Sequence, residues 1–479
     1  MDLKKQTQGL RRTVVAAVLG FTMLVPVASA AETLADALVG AYNNSGLLDQ
    51  NRAVLRAADE DVGIAKAALK PVVQWTGSLS QNVNRSVSAG STFVPAGTRT
   101  STNSLSTTVN LIASLLVYDF GATRYAVEAT KETVLATRES LVSVEQQILL
   151  RAVDAYMTVI QTRDIVALRE NNVRLLIQEL RAARDRFEVG EVTRTDVALA
   201  EAQLAQARSG LAGAQGNLIS AKAYYKVAVG REPGNLSKPP RLPAVSNSIK
   251  TAKALAVRSH PDIRAVQHQV AAAELLIRRS EAAMQPQVSV QGSVGISDTF
   301  RSEASTRSGA VGVQIGQTLY QGGALSAGVR KNRAQRDAQR GNLHVVVKDV
   351  ERAVSDAYAG LASARAQIEA SQRQVRAARI AFQGVREEAA LGARTTLDVL
   401  DAEQSLLDAQ SASVNAQTQI YVAAYSVLQA TGQLTASKLK LPVQIYDPAA
   451  YYNLVKESPA KLSKEGKKLD RVLRALQKD

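Results

Sequence analysis

A chain of 479 residues could hold several domains, yet aromatic residues make up only 4% of it, too few for a wide core. Long, thin layers packed through Ala, Val and Leu are expected instead. The absence of cysteine excludes disulfides and thiolate chemistry. The three histidines, His260, His268 and His344, form no ligand-spaced cluster, and the +15 formal charge has no interleaved aromatics, which argues against nucleic-acid binding.

Taken in order, Lys4, Lys5, Arg11 and Arg12 precede an apolar run from Val14 to Val27, and Ala28-Ser29-Ala30 forms a small-residue cleavage site. Residues 1–30 therefore read as an export signal. Beyond it no stretch of about 18 uninterrupted apolar residues occurs, so a membrane would have to be crossed by strands. From Glu32 to Leu69 the apolar spacing is helical, with a break expected at Asn43-Asn44-Ser45-Gly46 and a stop at Pro71.

The period then changes to two. Val73, Trp75 and Leu79 alternate with Gln74, Thr76 and Ser78, which predicts a strand from Pro71 to about Asn84. A polar loop is expected from about Asn84 to Ser104, and a second strand up to Val117. A helical pattern without Pro or Gly runs from Ala122 to Val189 and would be roughly 100 Å long at 1.5 Å per residue. Val127, Val134, Leu141 and Ile148 recur every seven residues, and Val197, Leu204, Leu211, Leu218 and Tyr225 repeat that interval on a returning helix that stops near Gly230. Such spacing calls for supercoiled packing.

The same plan then recurs. A helix around Ala254 to Met284 ends at Pro286, strands are expected over Gln285 to Ser297 and Ser308 to Tyr320, and Tyr118–Gly230 matches Tyr320–Gly432 at a constant offset of 202. Asp154-Ala155-Tyr156 falls on Asp356-Ala357-Tyr358, and Glu201 on Glu403. The second long helix carries Leu343, Val347, Val350, Val354, Ala357, Leu361, Ala364, Ile368, Ser371, Val375, Ala378, Phe382 and Val385 in alternating steps of four and three. Residues 31–245 and 246–440 thus form two structural repeats, followed by a C-terminal segment, 441–479. That segment has a basic tail, with eight Lys or Arg against four acids from Lys456 onward.

Each repeat has a hairpin tip. Gly190 and Gly392 supply the backbone a helix end favours; Thr195 and Thr396 are available to cap the returning helix, and Asp196 and Asp398 are acids in its first turn. Asp401 shares a helical face with Asp398. The four strands are almost without charge and suit lipid, where a sheet must close because every backbone polar group must be paired. Four strands are too few, so several chains must share a barrel; three would supply twelve strands.

The duplicated plan, the junctions Val117-Tyr118-Asp119-Phe120-Gly121 and Leu319-Tyr320-Gln321-Gly322-Gly323, and the tip Gly392 to Ala402 together resemble the TolC family of outer-membrane channel proteins. The resemblance spans nearly the whole mature chain and is specific at tips and junctions. It implies a mixed α+β, mostly α fold: a homotrimeric tunnel with a twelve-stranded barrel in outer-membrane lipid, four strands per chain, and a long periplasmic α-helical barrel. It also implies partners, a periplasmic adaptor (membrane fusion protein) and an inner-membrane ABC exporter or proton-driven pump, with no cofactor. By the family's pattern Asp398 and Asp401 line the closed entrance, and Arg394 clasps Thr195 and Asp196. A tyrosine sharing that clasp falls at Ala389, which implies either a weaker clasp or compensation by Arg386 or Arg194.

No nucleophile-base pair, metal constellation or phosphate loop is present, so an enzyme is not expected. The rival is a trimeric coiled-coil adhesin or stalk; strands placed twice in mid-chain favour the channel. The sequence leaves the cargo, protein or small molecule, open. The lack of a cysteine near the N-terminus removes the lipid anchor of one efflux branch and tilts the reading to secretion-type or shared channels.

Overall fold

The computed structural model describes residues 31–246, 248–300, 305–461 and 463–476; the expected export signal lies outside them. Both repeats begin with a short helix and a longer one. Helices α1 (Leu34–Asn44) and α2 (Gly46–Ala67) meet at Ser45, whose side chain caps α2. The single helix expected around Ala254–Met284 is instead two, α5 (Ile249–Ser259) and α6 (Pro261–Ala282), parted at His260, which caps α6 through its ring. Pro261 is the reason: it lacks an N–H to continue α5 but fits the first position of a new helix. Ser45 and His260 are thus equivalent breaks.

The strands β1 (Val72–Val87), β2 (Arg99–Tyr118), β3 (Gln287–Thr299) and β4 (Ser305–Gly316) form one antiparallel sheet in sequence order. The first polar loop is shorter than expected, because the β1–β2 ladder continues to Val87 opposite Arg99. Polar cross-strand pairs sustain it: Ser80 bonds Ser106, and Gln81 bonds Asn103. The other hairpin departs from expectation at its base. β2 reaches Tyr118, but β4 ends at Gly316, leaving Leu319 and Tyr320 exposed outside the ladder.

The register sorts the sheet into two faces. One carries Trp75, Leu111 and Val294 side by side, then Leu115, Val290 and Val313, then Tyr118, Val288 and Ile315; the other carries Thr76, Asn110 and Ser308, then Ser78, Thr108 and Ser297. Trp75 and Val311 remain 71% and 84% exposed. Such an apolar face is suited to lipid, and the polar face to water in a lumen. β1 and β4 are the edges of this open sheet among the described residues.

Below the sheet run two 67-residue helices, α3 (Ala122–Glu188) and α7 (Ala324–Ala390), returned by α4 (Arg194–Val229) and α8 (Thr396–Ala430). Helix α3 packs on α4 and α8, and α8 packs on α7. Nearer the sheet α2 takes the place of α4 and α6 that of α8. The result is a layer in which α3 is flanked on both sides and α7 borders the chain. Every seam residue from Leu343 to Val385 named above is buried or half-buried, as the sevenfold pattern requires.

The largest core lies halfway down, around Leu34, Leu38, Tyr42, Ile148, Leu149, Tyr156, Tyr225 and Leu434. Tyr156 donates its hydroxyl to the carbonyl of Ser237, and its repeat counterpart Tyr358 donates to Ser246, so the matched tyrosines each tie their long helix to the connector between repeats. The C-terminal segment adds α9 (Pro448–Val455) against α2, and α10 (Lys464–Leu476) against α9.

Candidate functional site

The strand-to-helix junctions transmit the sheet's position to the helices. Tyr118 ends β2, and Phe120 and Gly121 turn the chain with φ of 52° and 89°. The matching Gly322 and Gly323 have φ of 54° and 82°, so the same turn is made with two glycines where the first repeat holds Phe120 in a left-handed conformation. Asp119 supports the first turn, accepting from the N–H of Gly121 at 3.1 Å and of Thr123 at 2.7 Å. Tyr118 and Phe120 stack edge to face with ring centres 4.8 Å apart. Gln321 replaces Asp119 in the second repeat.

At the far end Gly190 and Gly392 take φ of 81° and 78° and close the long helices. The caps differ from those expected. Thr193 and Thr395, rather than Thr195 and Thr396, are the N-caps, because a reciprocal box needs the acid three residues after the cap. Asp196 accepts from the Thr193 hydroxyl at 2.7 Å, and Asp398 from the Thr395 hydroxyl at 2.9 Å and its N–H at 3.0 Å. These bonds hold both carboxyls below the usual carboxylate range. Asp398 therefore spends one oxygen on its own helix, while Asp401, one turn on, is exposed.

Arg394 donates to Glu388 of its own hairpin at 2.8 Å. Asp196 is engaged by Thr193 and Thr195 is exposed; among the described residues neither bonds Arg394. The second long helix reaches the first instead through Arg386, 3.5 Å from Glu179. Beside that pair Asn172 of α3 donates to Glu403 of α8 at 2.6 Å. Glu403 is 5% exposed, and its other oxygen finds no partner among the described residues. Burial pushes its carboxyl up to about 7, helped by Glu179 and opposed by Asn172 and Arg386. Leu400 alongside packs into an apolar cluster with Leu176, Leu180 and Leu204. The bonded ties between the two hairpins thus sit above the tips. The repeat alignment of Glu403 with Glu201 marked the position, but a single sequence does not reveal that one glutamate is buried and the other is not.

A lipid-facing sheet continued by paired helices that end in capped tips is the architecture of a conduit. A sequence profile of the outer membrane efflux protein family matches residues 38–231 and 254–433. The chain belongs to this family. It is 38% identical over 446 residues to the outer membrane efflux protein BepC of Brucella suis biovar 1, a match covering 92% of this chain and 94% of that protein. It is 24% identical over 315 residues to the outer membrane protein TolC of Escherichia coli, covering 62% and 63%. The solved outer membrane protein VceC of Vibrio cholerae shares the fold with a TM-score of 0.68 at 21% identity, covering 83% of this chain and 96% of that one. Membership in the family puts the chain in the outer membrane with its helices in the periplasm, as a channel protein and not an enzyme. The resemblance drawn from the tips and junctions is met, and the adhesin alternative finds no support.

Proposed function

We propose that three copies of this chain form the outer-membrane conduit of a tripartite export system. The observation that carries the reading is the open four-stranded sheet with one apolar face. In a bilayer its edges β1 and β4 must be paired, and joining β4 of one copy to β1 of the next closes twelve strands while the helical layers continue below. A periplasmic adaptor and an inner-membrane pump, either an ABC exporter or a proton-driven one, would open the tips. The 38% identity to a protein named for efflux supports an efflux role.

At the entrance Asp398 and Asp401 of three copies put six carboxylates around one axis, and a cation relieves their repulsion. The Arg394, Thr195 and Asp196 clasp belongs to contacts between neighbouring tips, whereas Arg386–Glu179 and Asn172–Glu403 hold the two hairpins of one chain together. Two measurements test this. Detergent-extracted protein should run as a trimer by mass photometry, and a lipid-inserted monomer would sink the reading. In planar bilayers, periplasmic-side divalent cations should reduce conductance, and Asp398→Ala with Asp401→Ala should remove that block; equal block in the double variant would take both residues out of the entrance.

A further inference from the structure

Helices α6 and α8 occupy one place in the layer, between α3 and α7, and they exchange it where α8 ends at Ala430 and α6 begins at Pro261. The two ends abut: a Cβ on Gly432 would lie 3.2 Å from the Cα of His260. Two helix ends meeting in this way do not fill the space of one continuous helix, and beside them lies a cavity of about 870 Å³ bordered by α3, α6, α7 and α8. Sites for drug-sized molecules span roughly 300–1,000 Å³. The cavity is on one face of the layer. Leu149 and Tyr156 of α3 belong to the core beneath α1, and Val354 of α7 packs against α5. Two residues turn a helix by about 200°, so exposed Gln147 and Asp356, which border the cavity, lie on the opposite side. Helices α1 and α5 of three copies would obstruct a tunnel if they faced inward. In the channel reading they lie outside, and the cavity opens on the lumen.

Its lining supplies the chemistry of an occupant. Val346 and Val350 of α7 and Val422 of α8 give it an apolar floor. Three carboxylates border it, Asp262, Asp349 and Asp356, against a single guanidinium, that of Arg352. Arg352 lies 3.3 Å from Asp349, and among the described residues no Lys or Arg pairs with Asp262 or Asp356. Burial lowers the pKa of His260 against the pull of Asp262, so the ring adds no positive charge. The independent sign of a ligand is Gln146, which also borders the cavity. It is 1% exposed, and its Nε2 donor has no partner among the described residues. A buried donor left unpaired is costly, and an acceptor on a bound molecule relieves that cost.

We propose that this cavity binds amphiphilic organic cations that carry a hydrogen-bond acceptor. The apolar body rests on the valine floor, the positive charge sits near Asp262 and Asp356, and the acceptor receives the Gln146 donor. In a trimer three such sites ring the tunnel wall. The inference rests on the channel reading for the face on which the site opens, and it names the chemistry of a cargo that dwells there during passage.

The test measures fluorescence anisotropy of rhodamine 6G, a cationic dye with an ester carbonyl, on the full-length protein in nanodiscs, with the signal of empty nanodiscs subtracted. Fluorescein, an anionic dye on a similar ring frame, is the control. Rhodamine 6G should bind at one dye per chain, about tenfold or more tighter than fluorescein. Asp262→Asn with Asp356→Asn should weaken it about tenfold, and Gln146→Leu about threefold. Ala353→Phe, at an exposed position of α7 on the cavity border, should abolish binding by filling the space while every charge stays. Asp398→Ala with Asp401→Ala should leave the dye affinity unchanged. Equal affinity for the two dyes overturns the proposal, as does undiminished affinity in the Asn pair, in Gln146→Leu or in Ala353→Phe. Loss of binding with the entrance pair also overturns it, since the tip would then be the site. Mass photometry and conductance are recorded for each variant. A parent protein that is not trimeric defeats the channel reading, whereas a conducting parent trimer that does not bind the dye defeats this proposal alone.

Discussion

Glu201 and Glu403 occupy the same place in the two repeats, yet their surroundings are opposite. Glu201 lies on α4 at the border of the chain's helical layer, where it pairs with Arg184 at 2.5 Å with both side chains about half exposed. Glu403 lies on α8, which is packed between α3 and α7, and it is buried against Asn172 with one oxygen unsatisfied. Duplication supplied the same residue twice, and lateral position in the layer decided whether the chain's own helices bury it. The second hairpin is therefore held to its neighbour by a buried polar tie that its twin lacks.

The largest effect expected from breaking this comparison is in the second seam itself. Leu361 of α7 is 3% exposed and packs with Ile420, Ala423 and Val427 of α8. Leu361→Ala should lower stability by about 2–5 kcal/mol and reduce the yield of assembled channel. An unchanged unfolding temperature would mean that other contacts hold α7 to α8.

The next effect depends on pH and separates the two glutamates. Because burial raises Glu403 from 4.5 to about 7, the folded protein binds this proton more tightly than the unfolded chain does. Its contribution is complete below about pH 4.5 and is lost as pH rises through about 7. The hairpin tie should accordingly loosen between pH 5 and pH 8, by on the order of 1–3 kcal/mol. Glu403→Gln should flatten that dependence in thermal unfolding. Glu201→Gln should leave it intact and shift stability by about 0–1 kcal/mol, as for a surface ion pair. Two variants with the same pH profile would contradict the assigned asymmetry.

At the tips the repeats should behave alike. Thr193→Ala and Thr395→Ala each remove one capping box and should each raise local hydrogen exchange, in line with about 1 kcal/mol; a large difference between them would place an additional constraint on one tip. The smallest stability effect belongs to Arg394→Ser. Its bond to Glu388 is solvent-exposed, so unfolding should be unchanged, while the open fraction in planar bilayers should rise through loss of the proposed contact between neighbouring tips. A variant that conducts like the parent leaves Arg394 as a solvated tip residue.

The sequence by itself determined what depends on local periodicity. The sevenfold apolar steps fixed the long helices and their seam; the twofold alternation fixed four strands and their faces; Gly190 and Gly392 marked the tips; the offset of 202 showed that the plan occurs twice. Caps were legible only to within a few residues, because Thr193 and Thr195 both carry a hydroxyl able to accept a free helix N–H, and the choice rests on which one forms a reciprocal box with Asp196. The β1–β2 ladder outran its apolar alternation because backbone pairing continues through polar residues once a partner strand is aligned. Tertiary structure alone decided the pairing of α3 with α8, and with it the burial of Glu403, the reach of Arg386 to Glu179 and the seat of α9 along α2. These depend on contacts between residues far apart in the chain, and one sequence encodes them only through the packing of the whole layer.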